Sequence, residues 1–449
     1  MGCGACDGHR MSADVSIGNG VSARLEPHPL RAAVLGEVHA RPFTPLATPG
    51  RVLHFAFQTH ADQAKAGHAA LKSFCDARGL PPPKSHEKHH RVCIGTTMLR
   101  WEQHSEFTTY TWELPADAGT APFHPTASSL ASPMSLLPQP GPLLAAIDLH
   151  LVAEANERIA PERGLDRASL AVAENSDATA LYATDFKLDP AGFVHILVVD
   201  RGLGSERAGA LVQRLLELET YRSFALLGLP EAQKLAPSIS RIEKRLAEVT
   251  DAMRMTLDLA DNRHLLDELT ALAAELEAGA TGSLYRFGAS RAYYEIVNLR
   301  LQTIGERKVG GLPTWSAFLA RRMAPAMRTC VTTEERQANL SRKLARAANL
   351  LRTRVDVALE QQNQDLLQTM NTRTRMQLRL QATVEGLSVA AITYYVVGLF
   401  GYIVKGAHDS GVPHAEPSFL TAVFVPFALG AIWFIVRRIR NRHIAGEKD

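Results

Sequence analysis

The sequence predicts an α+β cytoplasmic domain, then a helical region with a long stalk helix, and a C-terminal two-helix transmembrane hairpin. Three observations support this fold class. Short β-branched and aromatic runs, separated by turn residues, fill the chain to about residue 200. After Gly204, apolar residues recur at three- and four-residue spacing, the period of amphipathic helices. Finally, Leu387–Val404 and Phe419–Val436 are two apolar runs, each about long enough to cross a bilayer core.

Length, charge and cysteine usage narrow the class of protein. A chain of 449 residues exceeds one ordinary core, so we expect two or three domains. The formal net charge of +3 is nearly balanced, which argues against a nucleic-acid partner. Five scattered cysteines suit a reducing compartment better than a disulfide framework. Residues 1–26 are predicted to be a disordered tail without a secretory signal, and translation from Met1 or from Met11 is left open.

The predicted α+β domain covers residues 27–203. A helix is expected over about Ala61–Arg78, after the first strand. The strand-like segments are RVLHFAF, HRVCIGTTMLRWE, EFTTYTWEL, LLAAIDLHL, ASLAVAE, ATALYATDF and FVHILVVD. Pro-rich and Ser-rich connections separate these segments, which is typical of loops.

The helical domain is predicted over residues 204–330 and the stalk helix over residues 331–385. The amphipathic segments of the first are Glu206–Leu227, Glu231–Leu257, Leu265–Leu276 and SLYRFGASRAYYEIVNLRLQTIGE. The stalk helix runs from about Thr332 to Gln381 without Pro or Gly, a length of roughly 75 Å. Such a helix favours a coiled coil or a stalk. Its polar block Gln361–Gln364 is either a solvated turn or a layer that sets the register of an oligomer.

Residues 386–436 are predicted to form the two-span hairpin, and residues 437–449 a basic tail. Arginines flank the hairpin on both sides: Arg373, Arg375 and Arg379 before it, and Arg437, Arg438, Arg440 and Arg442 after it. The connecting loop has only Lys405, against Asp409 and Glu416. The positive-inside rule therefore places both termini in the cytoplasm and the loop outside.

One face of the first apolar run contains most of its polar groups. At 100° per residue, a stripe consists of Gln381, Glu385, Ser388, Ile392, Tyr395, Leu399 and Tyr402. In a membrane such a stripe normally faces protein or water, because a carboxylate facing lipid costs several kcal/mol. Gly398 and Gly401 lie on another side, where a neighbouring helix could approach closely. The alternative for Glu385 is the headgroup zone, paired with Arg379 or a lipid amine.

Two further segments place charges on one side of an extended chain. Glu37, His39 and Arg41 alternate in EVHAR, and Arg100, Glu102 and His104 alternate in RWEQH. Alternate residues of a strand point to the same face, so the two segments together predict a charged ligand pocket. Surface salt bridging is the alternative.

Two short patterns that are associated with enzymes occur without the surrounding secondary structure that such sites require. His86–His90 matches HExxH, but it follows three prolines and leads into a strand rather than lying on a helix. Gly202 and Gly204 follow a strand, but no full dinucleotide-binding unit surrounds them. We therefore predict no catalytic residue, no metal site, no cofactor and no enzyme activity.

The chain resembles a bacterial family of predicted membrane-anchored proteins with no assigned function. The shared segments are EVHARP, LRWEQHSEFTTYTWE, LVQRLLELETYR followed by LLGLP, and the long stretch from NLLRTRVDVALEQQNQ to TVEGLSVAAITYYVVGL. The resemblance covers nearly all of the chain after residue 26. It implies a cytoplasmic domain with a C-terminal membrane anchor, and it supplies no activity. From the two spans and their flanks we expect a multi-pass protein of the bacterial inner membrane, with the lipid bilayer as its partner.

The order of parts is also similar, more loosely, to CorA-type magnesium transporters. Those proteins end the first span with Gly-Met-Asn, whereas this chain has Gly401, Tyr402 and Ile403. The likeness implies a homo-oligomeric cation channel or transporter, with a divalent cation left open. Glu385 would ring its cytoplasmic mouth, and Asp409 and Glu416 would concentrate cations outside. The alternative is a membrane-anchored scaffold or ligand sensor with a cytoplasmic protein partner and no transport activity.

Overall fold

The structure is a computed structural model that describes residues 28–31, 34–35, 43–85, 87–116, 121–124, 133–154, 164–256, 258–409 and 416–445. It divides the chain into two compact units. The first unit comprises Met1–Glu248 and Ala271–Leu344, and the second comprises Val249–Thr270 and Ala345–Asp449. The domain boundaries predicted from the sequence stay predictions, because these units follow packing rather than chain order.

Among the described residues, nine strands form one sheet in the first unit, in the order β2-β3-β4-β1-β5-β8-β7-β6-β9. The strands are β1 (Gly50–Gln58), β2 (His89–Ile94), β3 (Thr97–Gln103), β4 (Phe107–Pro115), β5 (Leu143–Ala153), β6 (Ala171–Glu174), β7 (Ala180–Leu188), β8 (Val194–Asp200) and β9 (Arg307–Lys308). Neighbours are antiparallel except β5 and β8, which are parallel. The α+β fold class is confirmed.

The segment HRVCIGTTMLRWE forms a hairpin of two strands rather than one strand. Its turn includes Gly95, whose φ is +64°, a left-handed conformation that glycine adopts without steric cost. The paired strands β2 and β3 match residue by residue from His89 opposite Glu102 to Ile94 opposite Thr97. This hairpin forms one edge of the sheet.

The helices are α1 (Ala61–Asp76), α2 (Ser205–Leu226), α3 (Gly228–Met255), α4 (Leu259–Ile304), α5 (Trp315–Asp409) and α6 (Pro417–Ala445). Two predicted helical segments merge into α4, which is 46 residues long. Helix α5 begins at Trp315 rather than near Thr332, and it includes Pro325. Because prolines usually end helices, the sequence favoured a later start.

The two faces of the sheet bury different cores. On β1, Leu53, Phe55 and Phe57 belong to a core with α1, together with the fully buried Trp101 and Trp112. The alternate residues of the same strand face the opposite side, where α2, α4 and the start of α5 pack. Because successive side chains of a strand point to opposite faces, β1 contributes buried residues to both cores.

In the second unit, α5 and α6 contain the two apolar runs predicted from the sequence. Both helices are long and apolar enough to cross a membrane, and only 6% of each apolar window is buried inside the chain. That low burial distinguishes them from core helices of a soluble domain. The Phe400 and Phe424 rings stack with centroids 3.9 Å apart, so the two helices pack against each other.

Candidate functional site

The stripe of the first apolar run faces away from α6. Thr393 is only 6% exposed, and a Cβ added to Gly401 would lie 3.6 Å from the Thr421 side chain, so this face contacts α6. Tyr395 and Tyr402, in contrast, are 75% and 79% exposed. At 100° per residue, the stripe residues lie roughly 120–180° around the helix from the midpoint between Thr393 and Gly401. Within a single chain the polar face is therefore uncovered.

The other stripe residues differ in their surroundings. Gln381 and Ser388 are exposed, and Glu385 is half-buried. The Ser388 hydroxyl donates to the Val384 carbonyl oxygen at 2.8 Å, so it is satisfied within its own helix. The two candidate outer carboxylates, Asp409 and Glu416, lie at the end of α5 and just before α6, and both are exposed.

In the first unit, Arg100 and Glu102 on β3, together with His104 just after its end, line one small cavity. Across the sheet, Arg100 is opposite Thr111 and Glu102 is opposite Thr109. The cavity has a volume of about 20 Å³. That volume is enough for about one water molecule. Glu37, His39 and Arg41 lie outside the described residues, so the predicted pairing of the two segments stays a prediction.

Arg100 is buried with weak compensation of its charge. Its side chain is 6% exposed, and Nε lies 3.9 Å from Glu102 Oε2. Its Nη1 donates to Gln213 Oε1 on α2 over 3.4 Å, a long hydrogen bond. Nε has no hydrogen-bond partner among the described residues. A buried cation with so little compensation of its charge is costly.

His54 lines the same cavity and is kept neutral. Nδ1 is 2.8 Å from Thr111 Oγ1, and Nε2 is 3.0 Å from Thr220 Oγ1 on α2. Burial lowers the pKa of His54 to about 3, and the positive charge of Arg100 adds to the shift. The lining therefore offers one fixed cation, one carboxylate and a neutral imidazole. This set can bind water or a very small polar molecule.

Sequence reasoning did not find His54, because a single polar residue in RVLHFAF is compatible with an ordinary strand.

Sequence reasoning also missed a second buried cluster, which lies on β1 and β5. Arg51 donates to both carboxylate oxygens of Asp148, at 2.9 and 2.7 Å, and His150 Nε2 lies 3.4 Å from the same carboxylate. Burial opposes ionisation of Asp148, but the hydrogen bonds from His150 and Arg51 outweigh it and lower its pKa. Polar residues inside strongly apolar strands were the available signal.

The described residues of the HExxH segment form hydrogen bonds with nearby backbone groups. Glu87 accepts the Lys84 backbone N–H at 2.9 Å, and His90 Nε2 lies 2.9 Å from the Pro81 carbonyl oxygen. His86 lies outside the described residues. Within the described part of the chain, no group of three or more His, Cys, Asp or Glu side chains could hold a metal ion.

Comparison with known proteins gives a family but no activity. A family model described as a protein of unknown function, DUF3422, matches residues 26–443. No curated protein and no solved structure matches the chain. The likeness to CorA-type transporters is therefore not supported by these comparisons. Since the matched residues cover nearly its whole length, the chain belongs to the DUF3422 family.

Proposed function

We propose that the protein is a homo-oligomeric protein of the bacterial inner membrane whose first spans together line a cation pathway. The observation that carries this proposal is the stripe on α5, which is exposed on the side of the helix opposite α6. If lipid covered this side, the Glu385 carboxylate and the hydroxyls of Tyr395 and Tyr402 would lie against hydrocarbon, and a charged group in that position costs several kcal/mol. If several copies of the chain surround a water-filled space, the polar groups face water and this cost does not arise.

A single hairpin cannot enclose a pore, so the pathway requires several copies around a symmetry axis. Closed cyclic symmetry would bring the same stripe from every copy to the axis. The hydroxyls of Ser388, Tyr395 and Tyr402 would then follow one another along the pathway. Rings of hydroxyl and carboxylate groups are typical linings of cation pathways.

The charges at the two ends of the spans favour a cation. Glu385 lies near the arginine-rich end of the first span, which the positive-inside rule places in the cytoplasm. Asp409 and Glu416 flank the connection at the opposite end. With both chain termini inside, these carboxylates attract cations at each mouth. A pathway of this kind requires neither a catalytic residue nor a cofactor.

Cation flux into liposomes tests the proposal with a matched pair of variants. Ser388→Leu places an apolar side chain on the stripe and is expected to lower flux by roughly tenfold or more, because an apolar constriction dewets a pore. Thr393→Val is the control, since Thr393 lies on the face buried against α6. Glu385→Ala is expected to lower flux as well. Flux that is absent from the wild type, or equal in all three variants, contradicts the proposal.

The alternative is a membrane-anchored scaffold or ligand sensor, in which the two spans only tether the chain. The loosely compensated Arg100 and the cavity beside it favour a binding role for the first unit. Exchange of α6 and the first span for an unrelated two-span anchor separates the two functions. A tethered sensor keeps its activity in the exchanged protein, whereas a cation pathway loses it.

A further inference from the structure

A second, larger cavity lies in the first unit, away from Arg100. It has a volume of about 260 Å³ and lies between β7, the end of α2 and the beginning of α5. This volume is near the lower end of the range for small-molecule sites. No sequence motif pointed to it, because its lining comes from four separate parts of the chain: β7, α2, α5 and Ser169, which lies just before β6.

One wall of this cavity is apolar and firmly held. The rings of Phe186 and Phe318 stack with centroids 5.0 Å apart, and Leu319 and Met323 extend the surface. Phe186 has a φ of +56°, a left-handed conformation that is uncommon for a residue with a side chain. It lies in an irregular part of β7, where pairing with β8 shifts. Strained residues in such bulges are often found beside binding sites.

Two of the cations at the cavity are already neutralised. Arg222 on α2 forms a two-pronged ion pair with Glu219, with Nε 2.7 Å from Oε2. Lys187 on β7 pairs with Asp166. These pairs leave little net charge for a ligand to balance.

The remaining charged groups of the lining are one cation and one anion. Arg322 is exposed and stacks over the Phe318 ring at 4.0 Å, and among the described residues no carboxylate lies within 4.0 Å of it. Asp185 is 8% exposed, and its two oxygens accept the backbone N–H groups of Asp166 at 2.8 Å and Lys187 at 3.0 Å. Each carboxylate oxygen can accept one more hydrogen bond.

An unpartnered hydroxyl completes the polar part of the lining. Ser169 is only 8% exposed, and its Oγ has no hydrogen-bond partner among the described residues. A buried hydroxyl without a partner costs about 1–3 kcal/mol, and a ligand that accepts its hydrogen recovers that cost.

We propose that this cavity binds an apolar amino acid in its zwitterionic form. Arg322 and Ser169 bind the carboxylate, Asp185 accepts from the ammonium group, and the side chain packs on Phe186 and Phe318. A simple acid would leave Asp185 beside a second negative charge. A simple amine would leave Arg322 without a partner. Such a site does not depend on ion conduction, so the two proposals can fail separately.

Isothermal titration calorimetry of the full-length protein in mild detergent tests this proposal. The probes are L-phenylalanine, 3-phenylpropanoate, which lacks the ammonium group, and 2-phenylethylamine, which lacks the carboxylate. L-phenylalanine is expected to bind roughly tenfold or more tighter than either analogue, because each analogue leaves a charged group unpaired. Equal affinity for the three compounds, or no binding of L-phenylalanine at millimolar concentration, overturns the proposal.

A pair of neighbouring arginines supplies the matched variants. Arg322→Met removes the cation of the cavity and is expected to weaken L-phenylalanine binding by roughly tenfold or more. Arg321→Met removes an exposed charge that does not line the cavity, and it is expected to leave the affinity unchanged. Both side chains are exposed, so both variants should fold, which their thermal midpoints check. Ser169→Ala is expected to give a smaller loss. An affinity that Arg322→Met leaves unchanged contradicts the assignment.

Discussion

At the scale of single residues, the first unit buries more charge than its apolar strands suggest. Asp148 is fully buried but has two hydrogen bonds from Arg51, so its ionised form is stable. Arg100 is buried to a similar extent, but within the described part of the chain its ion-pair partner, Glu102 Oε2, is 3.9 Å away. Arg51 and Asp148 therefore form a structural ion pair in which the two buried charges compensate each other. Arg100, in contrast, leaves hydrogen-bonding capacity beside a cavity, which favours the alternative proposal, a binding role for the first unit.

His54 makes the stability of the first unit depend on pH. Its pKa is about 3 in the folded protein, whereas an unfolded histidine titrates near 6.5. Below pH 6.5 the unfolded chain therefore binds a proton that the folded chain does not. Stability falls as the pH is lowered towards 3, by up to about 1.4 kcal/mol per pH unit.

Thermal midpoints of the full-length protein in detergent, measured between pH 6.5 and 4.5, test this prediction. His54→Gln keeps a polar side chain at the position but removes the titrating group. The wild type is expected to lose more stability over this interval than the variant. Parallel pH profiles for the two proteins would show that His54 does not titrate as described.

At the scale of elements, α5 is the longest helix of the described chain. It is one helix of 95 residues from Trp315 to Asp409, and its middle part, including Gln361–Gln364, is exposed. Among the described residues, the side chains from 360 to 384 are exposed, so within one chain this stretch is held mainly by its own backbone hydrogen bonds. The solvated-turn and the register-setting interpretations of the polar block both remain open.

Proline substitution tests the continuity of α5 directly. Gln364→Pro removes a backbone hydrogen bond and costs about 3 kcal/mol or more, whereas Gln364→Ala favours the helix. The proline variant is expected to be cleaved faster by trypsin at nearby sites such as Arg354 and Arg373, and the alanine variant to match the wild type. Rapid cleavage of the wild type at these arginines would show that this stretch is not a stable helix.

The helices and strands were predicted from the sequence more completely than the residues that line the two cavities. Periodicity found the strands, the helices and both apolar runs because those patterns are local. It missed β9, whose two residues are too few for a pattern, and it missed the start of α5 because Pro325 lies within the helix. The contact between His54 and Thr220 joins residues 166 positions apart, and no local pattern records such a pairing. The same reason hides the cavity formed by β7, α2 and α5.

At the scale of the whole molecule, the exposed stripe is the observation on which we base the proposal of a pathway rather than a tether. A tether needs only two apolar helices, and a polar face directed away from α6 would be a liability in lipid. A pathway needs that face, and it needs several copies to surround water. The stripe therefore links the proposed function to the oligomeric state of the intact protein.

Native mass spectrometry of the intact protein in mild detergent measures that state most directly. The account predicts a closed oligomer of at least about three chains, each of 49.0 kDa, because fewer hairpins cannot enclose a water-filled path. Ser388→Leu is expected to keep the same mass while losing flux, which separates assembly from conduction. A wild-type protein found only as a monomer or a dimer would contradict the central claim.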